Sequence, residues 1–461
     1  MKHFRWIVLV CVVALVAAGC GRSASDTGES GSTTTSTGGS AAGPVSFGTL
    51  KDICGPGDAT GATAQGVTDD AIKVATFSDT GFAGRPGLNQ ELFDTAKVFT
   101  DWCNAAGGVN GRKLEVDERD AALTNYQAKI VESCRDNFFM VGGGAVFDNT
   151  GVKDRLECLL PDIAGYVVTP EARSADLLVQ PLPNPFTDQA VGDFRWLGKE
   201  YPQSTDHVGV LTGDLATTEI IAKADTQAVD KLGWKIVYND KYPATGAADW
   251  SPYVQALKDK GVRGLIWVGE PENLAKLELA MTNANYKVDW VQAAPNHYDD
   301  SLIKLAGQGL QPTYVSTSFV PFEDASSNPA TQEYLDLFAK YAPDAKTKAA
   351  LGLQAWSAWL LFAQSVKECG SNVTRTCVYD AATKVHEWTG GGLHAPTDPG
   401  KNVGTDCFAL VKATPNGFKI VGVNANDGKF NCSKQNRVSL PGPFPAPVTL
   451  ADVGKALSEL K

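Results

Sequence analysis

"NAAGGVNGRKLEV", residues 104–116, sets glycines at 107, 108 and 111 among polar and basic side chains. Such a run either cradles a phosphate or turns the chain. A phosphate loop needs four residues between a glycine and Gly-Lys-Ser/Thr, whereas Gly107 and Gly111 have three between them and are followed by Arg-Lys-Leu. A dinucleotide fingerprint lies between a strand and a helix. Here the order is reversed. Leu88, Leu92, Ala96, Phe99 and Cys103 recur at helical spacing before the run, and residues 113–117 read as a strand after it. The run is therefore a helix stop and a tight turn: Gly107 or Gly108 takes the left-handed cap that a β-carbon disfavours, and Asn110-Gly111 leads into the strand.

The same alternation extends in both directions. Upstream, "IKVATF" from Ile72 is a short apolar strand that runs into the glycine-rich turn "SDTGFAGRPG". Downstream come a helix over 126–135, the strand "NFFMVGGG", a helix over 149–160 and the strand "DIAGYVV". After the proline-rich "VQPLPNPF", residues 179–186, the pattern restarts. The strands "HVGVLTGD", "WKIVYNDKY", "GLIWVGEP" and "DWVQAAPN" alternate with helices over 217–232, 253–260 and 274–284. Two βαβ series divided by a proline-rich crossing imply an α/β fold of two doubly wound, Rossmann-like lobes. A long apolar helix over 351–369 follows another crossing near 314–321, and the hairpin "DCFALVKATPNGFKIVGV" closes the set. Beyond Pro441 an extended proline run and a short amphipathic helix are expected to pack on the outside.

The N-terminus reads as an export signal. Basic residues precede an apolar run over 6–18, which is short of the roughly 20 residues that span a bilayer. Ala17, Ala18 and Gly19 then lead into Cys20, which resembles the lipobox of bacterial lipoproteins, so Cys20 is expected to become the lipidated N-terminus. The Ser/Gly/Thr-rich residues after it form a flexible tether. The rest is expected to be extracytoplasmic, anchored to the cell membrane by lipid. A net charge of −11 argues against nucleic acid and against an anionic membrane surface as partner.

Of the 10 cysteines, Cys11 leaves with the signal and Cys20 takes lipid, and the even number remaining in an exported chain reads as disulfides. Cys369 and Cys377 flank a turn-rich segment, and Cys407 and Cys432 lie on either side of the hairpin. Cys134 with Cys158 would join successive helices and leave Cys54 for Cys103, although the pairing of these four stays open. No cysteine or histidine spacing suggests a metal, and no cofactor motif is present. Enzyme signatures are equally scarce: there is no Gly-x-Ser-x-Gly elbow, and the histidines are scattered. The carboxylates of "DERD", residues 117–120, read as a solvated strand exit.

In open α/β sheets ligands bind beyond the carboxyl ends of the strands. In the first lobe those loops offer Arg85 and Asn89, then Val146, Phe147 and Asp148, then Tyr166 and Thr169. In the second they offer Asp214 and Thr217, Glu270, and Asn296, His297 and Tyr298.

At "GVTDDAIKVATFSD", "NAAGGVNGRKLEV" and "WTGGGLHAPTD" the chain resembles the type I periplasmic binding proteins of the leucine-, isoleucine- and valine-binding kind, which serve ABC importers. The resemblance covers about Gly66 to Val423. It implies two lobes joined by three hinge crossovers, near 179–183, 314–319 and 395–403. The expected division is a signal over 1–19 and a lipidated tether over 20–44, followed by lobe 1 from 45–180 and 315–397. Lobe 2 takes 181–314 and 398–440, and 441–461 form a tail. It further implies that Thr169 meets a ligand carboxylate and that Glu270, or Glu272 after it, meets an ammonium. The serine usual after the third strand is replaced within "GAVFD", and the tyrosine usual in the second lobe within "GDLATT". Phe147, Tyr166 and Tyr298 would suit an apolar or aromatic surface. The expected function is capture of a small molecule, either like a branched-chain amino acid or an apolar or aromatic carboxylate, by a monomer that delivers it to an ABC permease. The alternatives are a ligand-sensing lipoprotein coupled to a membrane signalling partner, and a secreted hydrolase, which would need a nucleophile beside a base.

Overall fold

The structure, a computed structural model, describes residues 43–422 and 429–461. The expected signal, Cys20 and nearly all of the tether lie outside these residues. A hairpin of β1 (Val45–Phe47) and β2 (Leu50–Cys54) leads in, with Phe47 packed against Trp102 and Trp356. The first parallel series follows: β3 (Ala71–Ser78), α1 (Gln90–Ala105), β4 (Lys113–Asp120), α2 (Tyr126–Asp136), β5 (Met140–Val141), α3 (Val152–Glu157), β6 (Asp162–Ile163), α4 (Pro170–Arg173) and β7 (Leu178–Val179). Its sheet has the order β4-β3-β5-β6-β7.

The chain then crosses and builds the second series. Its elements are β8 (Asp188–Ala190), α5 (Gly192–Glu200), β9 (Val208–Gly213), α6 (Ala216–Lys231), β10 (Ile236–Tyr242), α7 (Ser251–Asp259), β11 (Gly264–Val268), α8 (Pro271–Asn283), β12 (Trp290–Ala293), α9 (Asp300–Ala306) and β13 (Thr313–Thr317). Three helices return to the first series: α10 (Pro329–Tyr341), α11 (Ala350–Cys369) and α12 (Arg375–Thr383). Then β14 (Cys407–Thr414) extends the second sheet antiparallel to β13, β15 (Gly417–Val421) pairs antiparallel with β14, and β16 (Asn431–Cys432) and β17 (Arg437–Ser439) pair with β14 and β8. The second sheet runs β10-β9-β11-β12-β13-β14-β15. Helices cover both faces, so every residue of β9, β11 and β12 is buried, which is why these strands read as continuous apolar runs.

The glycine turn between α1 and β4 performs the structural role expected of it. Gly107, Gly108 and Gly111 all have positive φ, and a β-carbon on Gly108 would lie 2.0 Å from the Arg112 carbonyl oxygen. Arg112 itself is buried and donates to the carbonyls of Thr68 and Gly61, each at 2.9 Å. Its charge therefore ties down a neighbouring loop. Within "DERD", Arg119 centres an ion-pair cluster with Asp117, Glu132 and Asp136. All four disulfides form with the pairing set out above: Cys54–Cys103, Cys134–Cys158, Cys369–Cys377 and Cys407–Cys432.

Two expectations need correction. The crossing near 314–321 begins as strand β13, because Tyr314 and Val315 are buried between β12 and β14 and take part in both ladders. The expected amphipathic helix of the tail is instead two short 3-10 turns, Leu450–Val453 and Leu457–Glu459. Gly454, at φ 67°, ends the first turn, and only Leu450 and Leu460 of its apolar residues reach full burial.

Candidate functional site

In both sheets the strand order reverses once, between β3 and β5 in the first and between β9 and β11 in the second. The connecting helices leave opposite faces at such a point, which opens a crevice beyond the carboxyl ends of the strands. Arg85 lies in the loop after β3, and Glu270 and Glu272 follow β11. The two switch points meet through these side chains. Arg85 donates through Nε and Nη2 to Glu272 Oε1, at 3.0 and 2.7 Å, and through Nη1 to Glu270 Oε2. Burial disfavours the guanidinium charge, but the two glutamates outweigh it and raise the Arg85 pKa further. Glu270 is pushed above the usual carboxylate range by burial, with Glu272 and Glu91 adding repulsion against the pull of Arg85.

A second cation bridges the same gap. Lys346, between α10 and α11, places its Nζ 3.1 Å from Glu91 of α1 and 2.7 Å from Asp299 after β12. Its backbone N–H donates to Asp94. Beside this seam His297 is fully buried, with Nδ1 3.1 Å from the Ala294 carbonyl and Nε2 unpartnered among the described residues. Burial, reinforced by the nearby Arg85 charge, lowers its pKa to about 4. The imidazole is therefore neutral at neutral pH, and its free nitrogen is an acceptor.

The first-lobe loops are braced from within. Asp79, at the end of β3, accepts from the backbone N–H groups of Leu123 and Val146. Asp148 accepts from the Val168 and Thr169 N–H groups and from the Thr169 hydroxyl at 2.5 Å. Both residues expected to meet ligand are thus engaged with each other, and the pair fixes the two loops that carry Phe147 and Tyr166. Val146 and Phe147 pack with Leu88, Leu123 and Phe82, while Tyr166 packs on Leu92, Leu351 and Ala355. Asn296 donates to the Gly269 carbonyl and holds the β11 loop in place. The Asn89 and Thr217 side chains are buried, with Nδ2 and Oγ1 unpartnered among the described residues.

Two expected ligand residues lie elsewhere. Tyr298 is buried in the packing at the second crossing, stacked on Phe319 and hydrogen-bonded to Glu323, because the short turn over Pro295–His297 sends successive side chains in different directions. Asp214 is exposed and pairs with Lys241 at 3.4 Å. Conversely, Glu91, Asp299 and Lys346 were not among the expected site residues. Asp299 directly follows the expected residues Asn296, His297 and Tyr298, whereas Lys346 follows no strand and carries no local signal.

Ser357 and His394 do meet, at 2.9 Å, but both are buried; Ser357 also accepts from Trp388, and His394 Nδ1 is bound to the Ala395 carbonyl. That contact is core structure. No group of three metal-ligating side chains is present among the described residues. No helix among them is long and apolar enough to cross a membrane.

Solved structures with this architecture include a fatty acid ABC transporter substrate-binding protein from Thermomonospora curvata, 16% identical with a TM-score of 0.68, covering 83% of this chain and 97% of its own. A leucine-binding protein from Thermotoga maritima is 12% identical, with a TM-score of 0.63 over 76% of this chain and 98% of its own. A branched-chain amino acid ABC transporter protein from Thermus thermophilus with bound valine is 15% identical, with a TM-score of 0.62 over 80% of this chain and 98% of its own. At these identities the likeness shows the fold. No curated protein sequence matches the chain. The family model of the periplasmic binding proteins matches residues 71–418, and the chain, with its two lobes of parallel sheet, belongs to that family.

Proposed function

We propose that this protein is a lipid-anchored, extracytoplasmic solute-binding protein that captures a small molecule between its lobes and delivers it to an ABC permease. The carrying observation is the Arg85–Glu270–Glu272 cluster, which joins the two switch points directly. A zwitterionic ligand entering there can part the cluster without stranding either side: its carboxylate faces Arg85 and its ammonium faces Glu270 and Glu272, so each half-buried charge keeps an opposite one. Phe147 and Tyr166 supply the apolar wall for its body. An apolar or aromatic carboxylate uses Arg85 and the same wall. The leucine, valine and fatty acid named for the similar structures fit these two chemistries. The bound molecule is released unchanged, because the site carries neutral and paired groups and no nucleophile beside a base. Cys20 supplies the anchor, and one chain suffices for the site.

A thermal-shift panel on the purified mature chain tests this reading. Branched-chain amino acids, aromatic acids and fatty acids are compared at concentrations about 100-fold above a micromolar Kd, where a true ligand adds about 2.7 kcal/mol of stability. Stabilisation by at least one class is expected, with the shift lost in Arg85→Met. A flat response to all three classes would overturn the ligand assignment.

A further inference from the structure

Beyond β17 the chain does not simply end on the surface. It runs from one lobe to the other. On the second lobe Leu440 N–H donates to the Thr187 carbonyl, Gly442 exchanges two hydrogen bonds with the Gln227 side chain of α6, and Lys223 donates to the Pro443 carbonyl at 2.6 Å. On the first lobe Val448 exchanges backbone hydrogen bonds with Glu171 and Asp176, and Leu450 N–H donates to the Asp176 carboxylate at 2.7 Å. Leu450 and Leu460 are buried among Val152, Leu156, Ala172 and Leu177. The end is fastened too. Thr376 donates to the Leu460 carbonyl, and Arg375 N–H donates to the Lys461 carbonyl.

Only Phe444, Pro445, Ala446 and Pro447 span the two anchorages. Two prolines in this short link fix φ and keep it extended. Over the link the side chains form one continuous stack. Arg173 of α4 lies 4.1 Å from the centroid of Phe186, Phe186 lies 5.0 Å from Phe444, and Lys223 of α6 lies 5.3 Å from Phe444. Phe186 belongs to the first crossing, so the stack runs beside the hinge. Arg173 also donates to the Val167 and Asn184 carbonyls, which ties the stack to the loop carrying Tyr166 and Thr169.

We propose that residues 440–461 are a hinge strap that restrains separation of the two lobes, the Arg173–Phe186–Phe444–Lys223 stack acting as its clasp. Rotation of one lobe against the other changes the separation of the two anchorages, and a link of four residues, two of them proline, has little slack to give. Either the clasp breaks or the lobes stay near closure. The inference concerns lobe separation alone and does not depend on which ligand binds.

The test lengthens the strap while leaving both anchorages in the full chain. Residues 445–447 are replaced by a Gly/Ser segment of about 12 residues, which has a root-mean-square reach of roughly 20 Å. Spin labels at positions 97 on α1 and 259 on α7, both exposed, report the inter-lobe distance in ligand-free protein. The lengthened variant is expected to shift the distance distribution to longer values at unchanged melting temperature, and Phe444→Ala to broaden it in the same direction. A distribution identical to the parent in both variants, each still folded, would overturn the strap.

Discussion

Arg85 links the two lobes through charge, and the size of that link is accessible to a double-mutant cycle. Because the Arg85 and Glu270 side chains keep 20% and 34% exposure, screening limits their coupling to about 1 kcal/mol. Arg85→Met and Glu270→Gln are therefore each expected to lower stability in urea melts, while the double variant loses less than the sum of the two. Strict additivity would mean that the pair contributes nothing. His297 makes a different prediction. Its folded pKa, about 4, lies below the ordinary value of 6.5, so the unfolded chain takes up a proton that the folded chain refuses. That contribution to stability is complete above pH 6.5 and is lost as pH falls toward 4, by at most about 3 kcal/mol. Melting temperatures measured across this window should fall, and His297→Gln should flatten the slope. His394, also lowered to about 4 by burial, retains the remainder. Of these residues Arg85, Glu270 and His297 were legible in the sequence because each follows a strand. Lys346 was not, since Glu91 lies 255 positions away and only packing of α1 beside α10 and α11 brings them together.

At the scale of elements, the glycine turn between α1 and β4 sets where the first helix stops and how the next strand enters the sheet. Gly108 has φ 83°, and a β-carbon there would overlap the Arg112 carbonyl. Gly108→Ala is expected to cost about 3 kcal/mol by chemical denaturation. Gly43→Ala, facing open space at an ordinary φ, should change little and serves as the control. Equal effects of the two would show that the turn tolerates a side chain. The long strands of the second lobe were readable from their apolar runs. In the first lobe β5, β6 and β7 have two residues each. Periodicity cannot mark the ends of so short a strand, and the glycines at 142–144 lie so close to Trp359, Phe77 and Tyr166 that a β-carbon would overlap them.

For the whole molecule, two ion-pair bridges join the lobes on the ligand side, Arg85 to Glu270 and Glu272 and Lys346 to Asp299, while the strap joins them on the hinge side. Salt weakens the bridges directly, whereas the strap is held by backbone hydrogen bonds and buried leucines as well as by its cation contacts. Raising ionic strength from about 0.1 to 1 M shortens the Debye length from about 10 to 3 Å. Small-angle scattering of the ligand-free variant with the lengthened strap should then show an increased radius of gyration, and Lys346→Met in the same background should reduce that increase. A radius independent of salt in that variant would mean that charge does not hold the cleft closed.

The sequence by itself determined the alternation of strands and helices, the turn chemistry at Asn110-Gly111 and the presence of a crevice at the strand ends, because periodicity and backbone sterics act between near neighbours. Local geometry also suggested the partners of Cys369 and Cys407, and elimination those of Cys54. Only the tertiary structure decided which strand-end residues meet. It turned Tyr298 into the core, spent Asp148 on Thr169, brought Lys346 between Glu91 and Asp299, and carried the tail from one lobe to the other. Those outcomes depend on packing between segments hundreds of residues apart, where a side chain's direction is set by what its neighbours leave free.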